Sequence, residues 1–196
     1  MPKKSERTRQ RIVEAANRLF YHKGYHQTSF SDVVQAAGVP RGNIYYYFKT
    51  KDEILQAAIR YRTERITLML EGWSGSYRTP IERLHRFIDI LSDSADAIMR
   101  YGCPMGTLNT ELGKDQRDLQ EQAENLFKVF ETWLTDQFAE LGYAGRAREL
   151  ALRLMSQGQG VSIMTHVHHD PGFLRREKQH LARWLEQLAD GNDDCA

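Results

Sequence analysis

Residues 24–55 read GYHQTSFSDVVQAAGVPRGNIYYYFKTKDEIL, and this stretch decides the fold. Ser29, followed three residues later by Asp32, forms a capping box that predicts the start of a short helix. That helix ends at Gly38, and its apolar face consists of Phe30, Val33, Val34 and Ala37. A second short helix is predicted over residues 41–48. Two short helices joined by a glycine-containing turn are typical of a helix-turn-helix.

Longer amphipathic helices are predicted on both sides of this pair. Before it, Ile12, Ala15, Ala16, Leu19 and Phe20 form one helical stripe. After it, Thr50 and Glu53 cap a fourth helix, which the breaker-rich sequence GWSGSYRTP, residues 72–80, is expected to end.

The rest of the chain shows the same helical periodicity. Apolar stripes run through residues 81–98 and 119–141, and two more helices are predicted over about 146–168 and 173–189. The sequence shows no strand pattern, so the predicted fold is all-α with about nine helices. We expect a helix-turn-helix domain over residues 1–50, a linking helix over about 51–72, and a C-terminal domain over 73–196.

Charge is distributed unevenly along the chain. The whole sequence has a formal net charge of only +1, yet residues 1–62 carry +7 and the remainder −6. A basic segment attached to an acidic body is typical of a small polyanion-binding domain joined to a larger domain with another role. No apolar run is long enough to cross a membrane and the N-terminus has no apolar signal core, so we expect a cytoplasmic protein.

The second helix of a helix-turn-helix lies in the major groove of DNA. Here Ile44 and Phe48 are expected to face the core, which directs Gly42, Asn43 and Tyr46 outward and places Tyr45 and Tyr47 on the flanks. Asn43 can pair with a base edge, and tyrosine hydroxyls can donate to phosphates. Further predicted phosphate contacts come from Arg41, Lys51, Thr28 and Ser29. The long first helix is expected to supply a mobile basic arm, made of Lys3, Lys4, Arg7, Arg9 and Arg11.

The stretch 24–55 resembles the TetR/AcrR repressors. The similarity rests on the Thr-Ser pair at residues 28–29, the AAGV turn at 36–39, and the YYYF end of the recognition helix at 45–48 with Lys51 beyond it. Many members of that family have histidine where this chain has Tyr47. The resemblance implies a homodimeric repressor whose subunits associate through their last two helices. Such a repressor would bind a palindromic operator, and an unknown small-molecule inducer would release it from DNA.

The resemblance also implies a ligand pocket in the C-terminal domain. The candidate lining residues are aromatic, Met or Cys side chains of the later helices: Met99, Tyr101, Cys103, Met105, Phe127, Phe130, Trp133, Met155 and Met164. Their scarcity of charge favours an uncharged or aromatic ligand. Ala151, Met155, Gly158 and Ser162 suit close approach of a partner helix, although packing within the chain is the alternative.

The two cysteines, a histidine group and the overall pattern allow further interpretations. Cys103 lies in a segment similar to loops of TetR-type repressors that sense electrophiles or oxidants, so a sensor thiol is an alternative to a pocket-lining residue. The penultimate residue, Cys195, is expected to be inert. His166, His168 and His169 have poor spacing for a metal site, and no cofactor motif is found. No set of catalytic residues is found in the sequence, which argues against an enzyme. The acidic body argues against a non-specific architectural DNA-binding protein, whose basic charge would be spread over the whole surface.

Overall fold

A computed structural model describes residues 4–191, and this part of the chain is built from α-helices without a β-strand. The all-α prediction is therefore confirmed. Ten α-helices and one π-helical segment (Ala139–Tyr143) are described, with the following α-helix bounds: α1 Lys4–His22, α2 Phe30–Ala37, α3 Arg41–Tyr47, α4 Lys51–Ser76, α5 Pro80–Asp93, α6 Ala95–Tyr101, α7 Pro104–Leu112, α8 Arg117–Phe138, α9 Ala147–His168 and α10 Pro171–Ala189. The predictions for Lys3, Cys195 and the Lys4 side chain fall outside the described part.

Helix boundaries follow local signals where a cap or a proline is present. Thr79 caps α5 by accepting the Glu82 N–H, with Pro80 as the first helical residue. Pro104 likewise begins α7. The stripe over 81–98 is divided into α5 and α6 because the backbone at Ser94 leaves helical geometry, which explains the additional helix.

Helix α4 ends within the breaker-rich sequence 72–80, as predicted, but it continues through Gly72 and Gly75 to Ser76 rather than stopping near residue 72. The reason is Trp73, a buried residue whose ring lies 5.9 Å from that of Trp133 and 4.7 Å from the Arg86 guanidinium. Two helical glycines cost roughly 1 kcal/mol each relative to alanine. Tertiary packing of one indole therefore outweighs the local breaker signal.

The helices form two packing units. The N-terminal unit contains residues 4–66 and 104–127, and the C-terminal unit contains residues 67–103 and 128–191. The N-terminal unit thus includes α7 and part of α8 in addition to the predicted helix-turn-helix region. The proposed domain boundaries at 1–50 and 73–196 remain a prediction, since they describe functional domains rather than packing units.

Each unit has its own apolar core. The N-terminal core joins α1 to α4 with α7 and α8, and includes Ile12, Ala16, Val33, Ile44, Phe48, Ile54, Leu108, Leu112 and Leu126. The C-terminal core includes Leu84, Ile88, Leu134, Phe138, Leu150, Leu154, Leu174, Leu181 and Leu185. No helix within residues 4–191 is both long and apolar enough to cross a membrane.

Candidate nucleic-acid interface

Helices α2 and α3 form the predicted helix-turn-helix. The Ser29 hydroxyl accepts the Asp32 N–H at 3.0 Å, and the Asp32 carboxylate accepts the Ser29 N–H at 2.9 Å. These hydrogen bonds hold the pKa of Asp32 below its ordinary value. The helix ends at Gly38, whose φ of 60° lies in the left-handed region that glycine tolerates best. Both boundaries of α2 are therefore as the sequence predicts.

The faces of α3 are also as predicted. Ile44 and Phe48 are 0% and 3% exposed and anchor the helix in the N-terminal core. Arg41, Gly42 and Asn43 are exposed at the start of the helix. A Cβ added to Gly42 would meet no atom within 4 Å, so this point of the backbone is open to a close approach.

The three tyrosines of α3 differ in environment. Tyr46 is the most exposed, at 77%, and is available to DNA. Tyr45 is half exposed, and its ring stacks on Phe30 with centroids 5.1 Å apart. Tyr47 packs partly against the core. A packing role therefore accompanies any DNA contact of Tyr45 and Tyr47, whereas Tyr46 has no such restriction from burial.

Thr28 does not join this exposed face. Its side chain is fully buried, and its hydroxyl donates to the Gly24 carbonyl oxygen at 2.7 Å. The expected phosphate contact from this hydroxyl is thus wrong for the described conformation, because the donor is already engaged below the surface. Ser29, the next residue, is exposed and retains a hydroxyl proton to donate.

Lys51 lies at the start of α4, where it is bound to the turn that precedes α2. Its Nζ donates to the Tyr25 carbonyl oxygen at 3.0 Å and lies 4.1 Å from the centre of the Tyr25 ring. An ammonium has three donors, so this bond leaves others for a phosphate. The Tyr25 hydroxyl donates to the Asp52 carboxylate. Burial is the main cause that raises the pKa of Tyr25, and the hydrogen bond to Asp52 raises this pKa further. The phenol therefore stays a neutral donor.

Two other basic residues support the helix pair. Arg11 donates to the carbonyl oxygens of Ala37 at 2.8 Å and Gly38 at 3.3 Å. Arg9 lies 5.0 Å from the centre of the Phe48 ring. The expected mobile arm is therefore wrong for Arg9 and Arg11, which belong to α1 and brace the helix-turn-helix. Sequence reasoning missed this role because the partners are 26 or more residues away.

Lys49 is a further basic residue that the sequence analysis did not select. It is exposed directly after the recognition helix, and its Nζ donates to the Tyr45 carbonyl oxygen. Its main-chain N–H donates to the Glu53 carboxylate at 2.7 Å, while the Glu53 N–H donates to the Thr50 hydroxyl at 3.1 Å. The predicted Thr50 and Glu53 cap of α4 is thus confirmed, and it holds Lys49 beside α3.

The predicted ligand-pocket residues are divided between the two units. Met105 and Phe127 belong to the N-terminal unit, and the other seven belong to the C-terminal unit. Met164 is 41% exposed on α9, whereas Phe130 is buried with its ring 5.5 Å from that of Phe87. The Trp133 indole donates to the Ser74 hydroxyl at 3.0 Å. These residues therefore do not share one environment within either unit.

The remaining pocket candidates, Met99, Tyr101, Cys103 and Met155, all belong to the C-terminal unit. The Cys103 thiol accepts a hydrogen bond from the Gln159 amide at 3.3 Å, and the Met99 carbonyl oxygen lies 3.0 Å from His166 Nδ1. Tyr101 and Met155 are half-buried. Within residues 4–191, no three His, Cys, Asp or Glu side chains are grouped to hold a metal ion.

Helix α9 is apolar on two faces. Ala151 and Ser162 are buried within their own unit, so of the two predicted alternatives they follow packing within the chain rather than contact with a partner helix; Met155 and Gly158 are half-buried. The exposed face instead carries apolar residues flanking small ones at helical spacing: Leu152, Ser156, Gly160, Ile163, Met164 and Val167. We call this set the α9 stripe. A Cβ added to Gly160 would meet no atom within 4 Å, so the surface there is open.

A groove of about 320 Å³ between α9 and α10 adjoins this stripe through Gly160. Its lining includes Val161, Phe173, Leu181 and Trp184. The Trp184 indole N–H is buried and has no hydrogen-bond partner among residues 4–191. None of the predicted pocket residues lines this groove.

Comparison with known proteins places both units in a known group. Residues 12–58 match the model for bacterial regulatory proteins of the tetR family, and residues 80–180 match that for the C-terminal domain of LmrA/YxaF-like transcriptional regulators. An uncharacterized HTH-type transcriptional regulator of Mycobacterium tuberculosis is 32% identical over 171 residues, which cover 83% of this chain and 86% of that protein. YxaF of Bacillus subtilis is 26% identical, with coverages of 83% and 87%.

The fold is likewise known from solved structures. A TetR transcriptional regulator from Chloroflexus aurantiacus superposes with a TM-score of 0.81, covering 95% of this chain and 98% of that one at 23% identity. A TetR-family regulator from Cytophaga hutchinsonii has a TM-score of 0.79 at 21% identity, with 97% of each chain covered.

Proposed function

Because this chain belongs to the TetR family of bacterial regulatory proteins and is a DNA-binding transcriptional regulator, we propose that it represses transcription from a palindromic operator until a small-molecule inducer releases it. The observation that carries the proposal is the recognition helix α3, which buries Ile44 and exposes Arg41, Gly42, Asn43 and Tyr46. A helix anchored by one face and polar on the other suits the major groove. Since a bacterial regulator meets its operator DNA in the cytoplasm, we propose that it works there.

Proteins of this family dimerise, and we propose that the interface is formed by α9 and α10. The α9 stripe supports this proposal because it combines exposed large apolar side chains with the small residues Ser156 and Gly160, which allow two helices to approach closely. A two-fold dimer would read an inverted repeat, one half-site for each α3.

Selection of bound sequences from a random DNA duplex pool at moderate salt tests the proposed operator and dimer together. We expect an enriched inverted repeat with half-sites about one helical turn apart. Binding without sequence preference would contradict the proposal and favour a non-specific architectural protein. Coupling the enriched repeat to a reporter gene then separates repression from activation.

The inducer is proposed to be an uncharged or aromatic small molecule bound by the C-terminal unit. Aromatic pairs support this class, since the rings of Trp73 and Trp133 lie 5.9 Å apart and those of Phe87 and Phe130 lie 5.5 Å apart. A ligand releases DNA only if it binds the released conformation more tightly. Screening such compounds for release of the enriched repeat tests this proposal; release by polyanions alone would contradict it. The Cys103 sensor role remains a prediction.

Asn43 and Lys51 are expected to contribute to DNA binding in different ways. Asn43→Ala removes a side chain that can pair with a base edge, so we expect a changed order of preference among half-site variants, with roughly 1–3 kcal/mol lost at one base pair. Lys51→Ala removes a phosphate contact, so binding to all sequences should weaken alike and the salt dependence should become flatter by about one unit of slope. Titrations of operator variants at several salt concentrations measure both effects; the reverse assignment of effects would contradict the proposed roles.

A further inference from the structure

Glu111, near the end of α7, binds the turn between α1 and α2. Its two carboxylate oxygens accept the main-chain N–H of Tyr25 at 2.9 Å and of His26 at 2.7 Å. These residues lie 86 and 85 positions away in the sequence. Charge-assisted hydrogen bonds of this kind are shorter and stronger than neutral ones. One side chain thus satisfies two consecutive backbone donors of a turn that has no helix of its own.

The contact is closely fitted to the backbone of this turn. A Cβ added to Gly24 would lie 3.0 Å and 3.1 Å from the two carboxylate oxygens of Glu111. Gly24 also has a φ of +85°, in the left-handed region. The carboxylate therefore lies directly on the glycine, and a side chain at position 24 would strain the backbone and require Glu111 to shift by a few tenths of an ångström.

Helix α7 is itself held in the N-terminal unit, so Glu111 is not free to follow the turn. At its first residue, the Pro104 carbonyl oxygen accepts from Arg62 of α4 at 2.8 Å. Asn109 donates to the Ala123 carbonyl oxygen of α8 at 3.2 Å, and Leu108 and Leu112 are buried. Glu111 therefore links the turn to a helix fixed at several points along its length.

Residues of the same turn support the proposed DNA-contacting groups. The Tyr25 carbonyl oxygen holds Lys51 Nζ at 3.0 Å. The Gly24 carbonyl oxygen accepts the Thr28 hydroxyl, next to the Ser29 cap of α2. A displacement of residues 24–26 would therefore move Lys51 and the start of α2 together.

We propose that Glu111 is a positioning residue for DNA binding, which holds the turn at residues 24–26 so that Lys51 and α2 lie where the operator requires them. This inference rests on the proposed function. It also predicts the sign of an electrostatic effect. Loss of a carboxylate near DNA should strengthen binding if only charge matters, whereas loss of a positioning contact should weaken operator binding selectively.

The test is Glu111→Gln, with Glu121→Gln as the matched control. Glutamine has one acceptor oxygen, so one of the two bonds is lost and an amide donor faces the second N–H. We expect operator affinity to fall about tenfold, as for one charged hydrogen bond, with non-specific affinity unchanged or slightly higher. Glu121 is an exposed carboxylate of the same unit, 3.6 Å from Arg117, so its replacement removes the same charge without touching the turn.

Hydrogen exchange distinguishes positioning from general destabilisation. In Glu111→Gln the amides of Tyr25 and His26 should exchange faster, while those of α1 and α2 and the melting temperature change little. Suppose that the wild type selects an operator. If the operator affinity of Glu111→Gln is then unchanged, or rises as in the Glu121→Gln control, the role of Glu111 alone is overturned. A wild type without any sequence preference would overturn the proposed function, and with it this role.

Discussion

Replacing Ile163 with aspartate is expected to convert the dimer to a monomer and to lower affinity for an inverted-repeat operator by roughly 10²–10⁴-fold. Ile163 is 58% exposed in the middle of the α9 stripe. In a two-fold interface each substitution acts twice, and both new carboxylates would lose water without gaining a partner. Operator affinity falls because a monomer binds only one half-site, so the second half-site is no longer bound by a subunit of the same dimer.

Light scattering of the free protein and titrations on whole and half operators measure this effect. Leu68→Asp is the matched control, since Leu68 is 61% exposed on α4 and receives the same change of chemistry. We expect the control to stay dimeric and to bind the operator normally. If Ile163→Asp also stays dimeric with unchanged operator affinity, the α9 stripe is not the interface.

The sequence predicted those features that depend on neighbouring residues. The Ser29 and Asp32 cap, the Gly38 end of α2 and the Thr50 and Glu53 cap each involve groups within a few positions, so their residue types suffice to identify them. The continuation of α4 through Gly72 and Gly75 to Ser76 could not be predicted in this way. It depends on the packing of Trp73 against residues that are distant in the sequence.

The candidate site was predicted for α3 itself but not for the residues that support it. An i, i+4 pattern predicts that Ile44 and Phe48 are buried together. No local pattern indicates that Arg11 binds the end of α2. Nor does any local pattern indicate that Glu111 of α7 binds the backbone donors of the turn between α1 and α2. Such contacts form between segments that only the folded chain brings together.

For a related reason, the sequence left open whether Ala151 and Ser162 of α9 pack within the chain or against a partner helix. Ala151 and Leu154 face the core while Leu152 and Ile163 face outward, so the helix is apolar on both sides. Periodicity identifies a helix with one apolar face, but it does not tell which of two faces packs within the chain. Only the positions of α5, α6 and α10 resolve this ambiguity.

Replacing Ile44 with alanine should remove the anchor of the recognition helix. Within α3, all of whose seven residues are described, Ile44 alone is buried, and its exposure is 0%. Truncating a buried isoleucine to alanine costs about 2–5 kcal/mol. That is a large share of the roughly 5–15 kcal/mol by which domains are stable.

We expect the functional loss of Ile44→Ala to exceed its loss of stability, because a helix of one to two turns does not persist without its packing. A frayed α3 cannot present Asn43 and Tyr46 in one geometry, so operator affinity should fall more than roughly 100-fold toward the non-specific level. Urea unfolding and titrations on operator and random DNA measure the two effects. Ile44→Val is the control, at about 0.5–1.5 kcal/mol with selectivity retained. Full operator selectivity in a folded Ile44→Ala protein would mean that sequence recognition does not depend on α3.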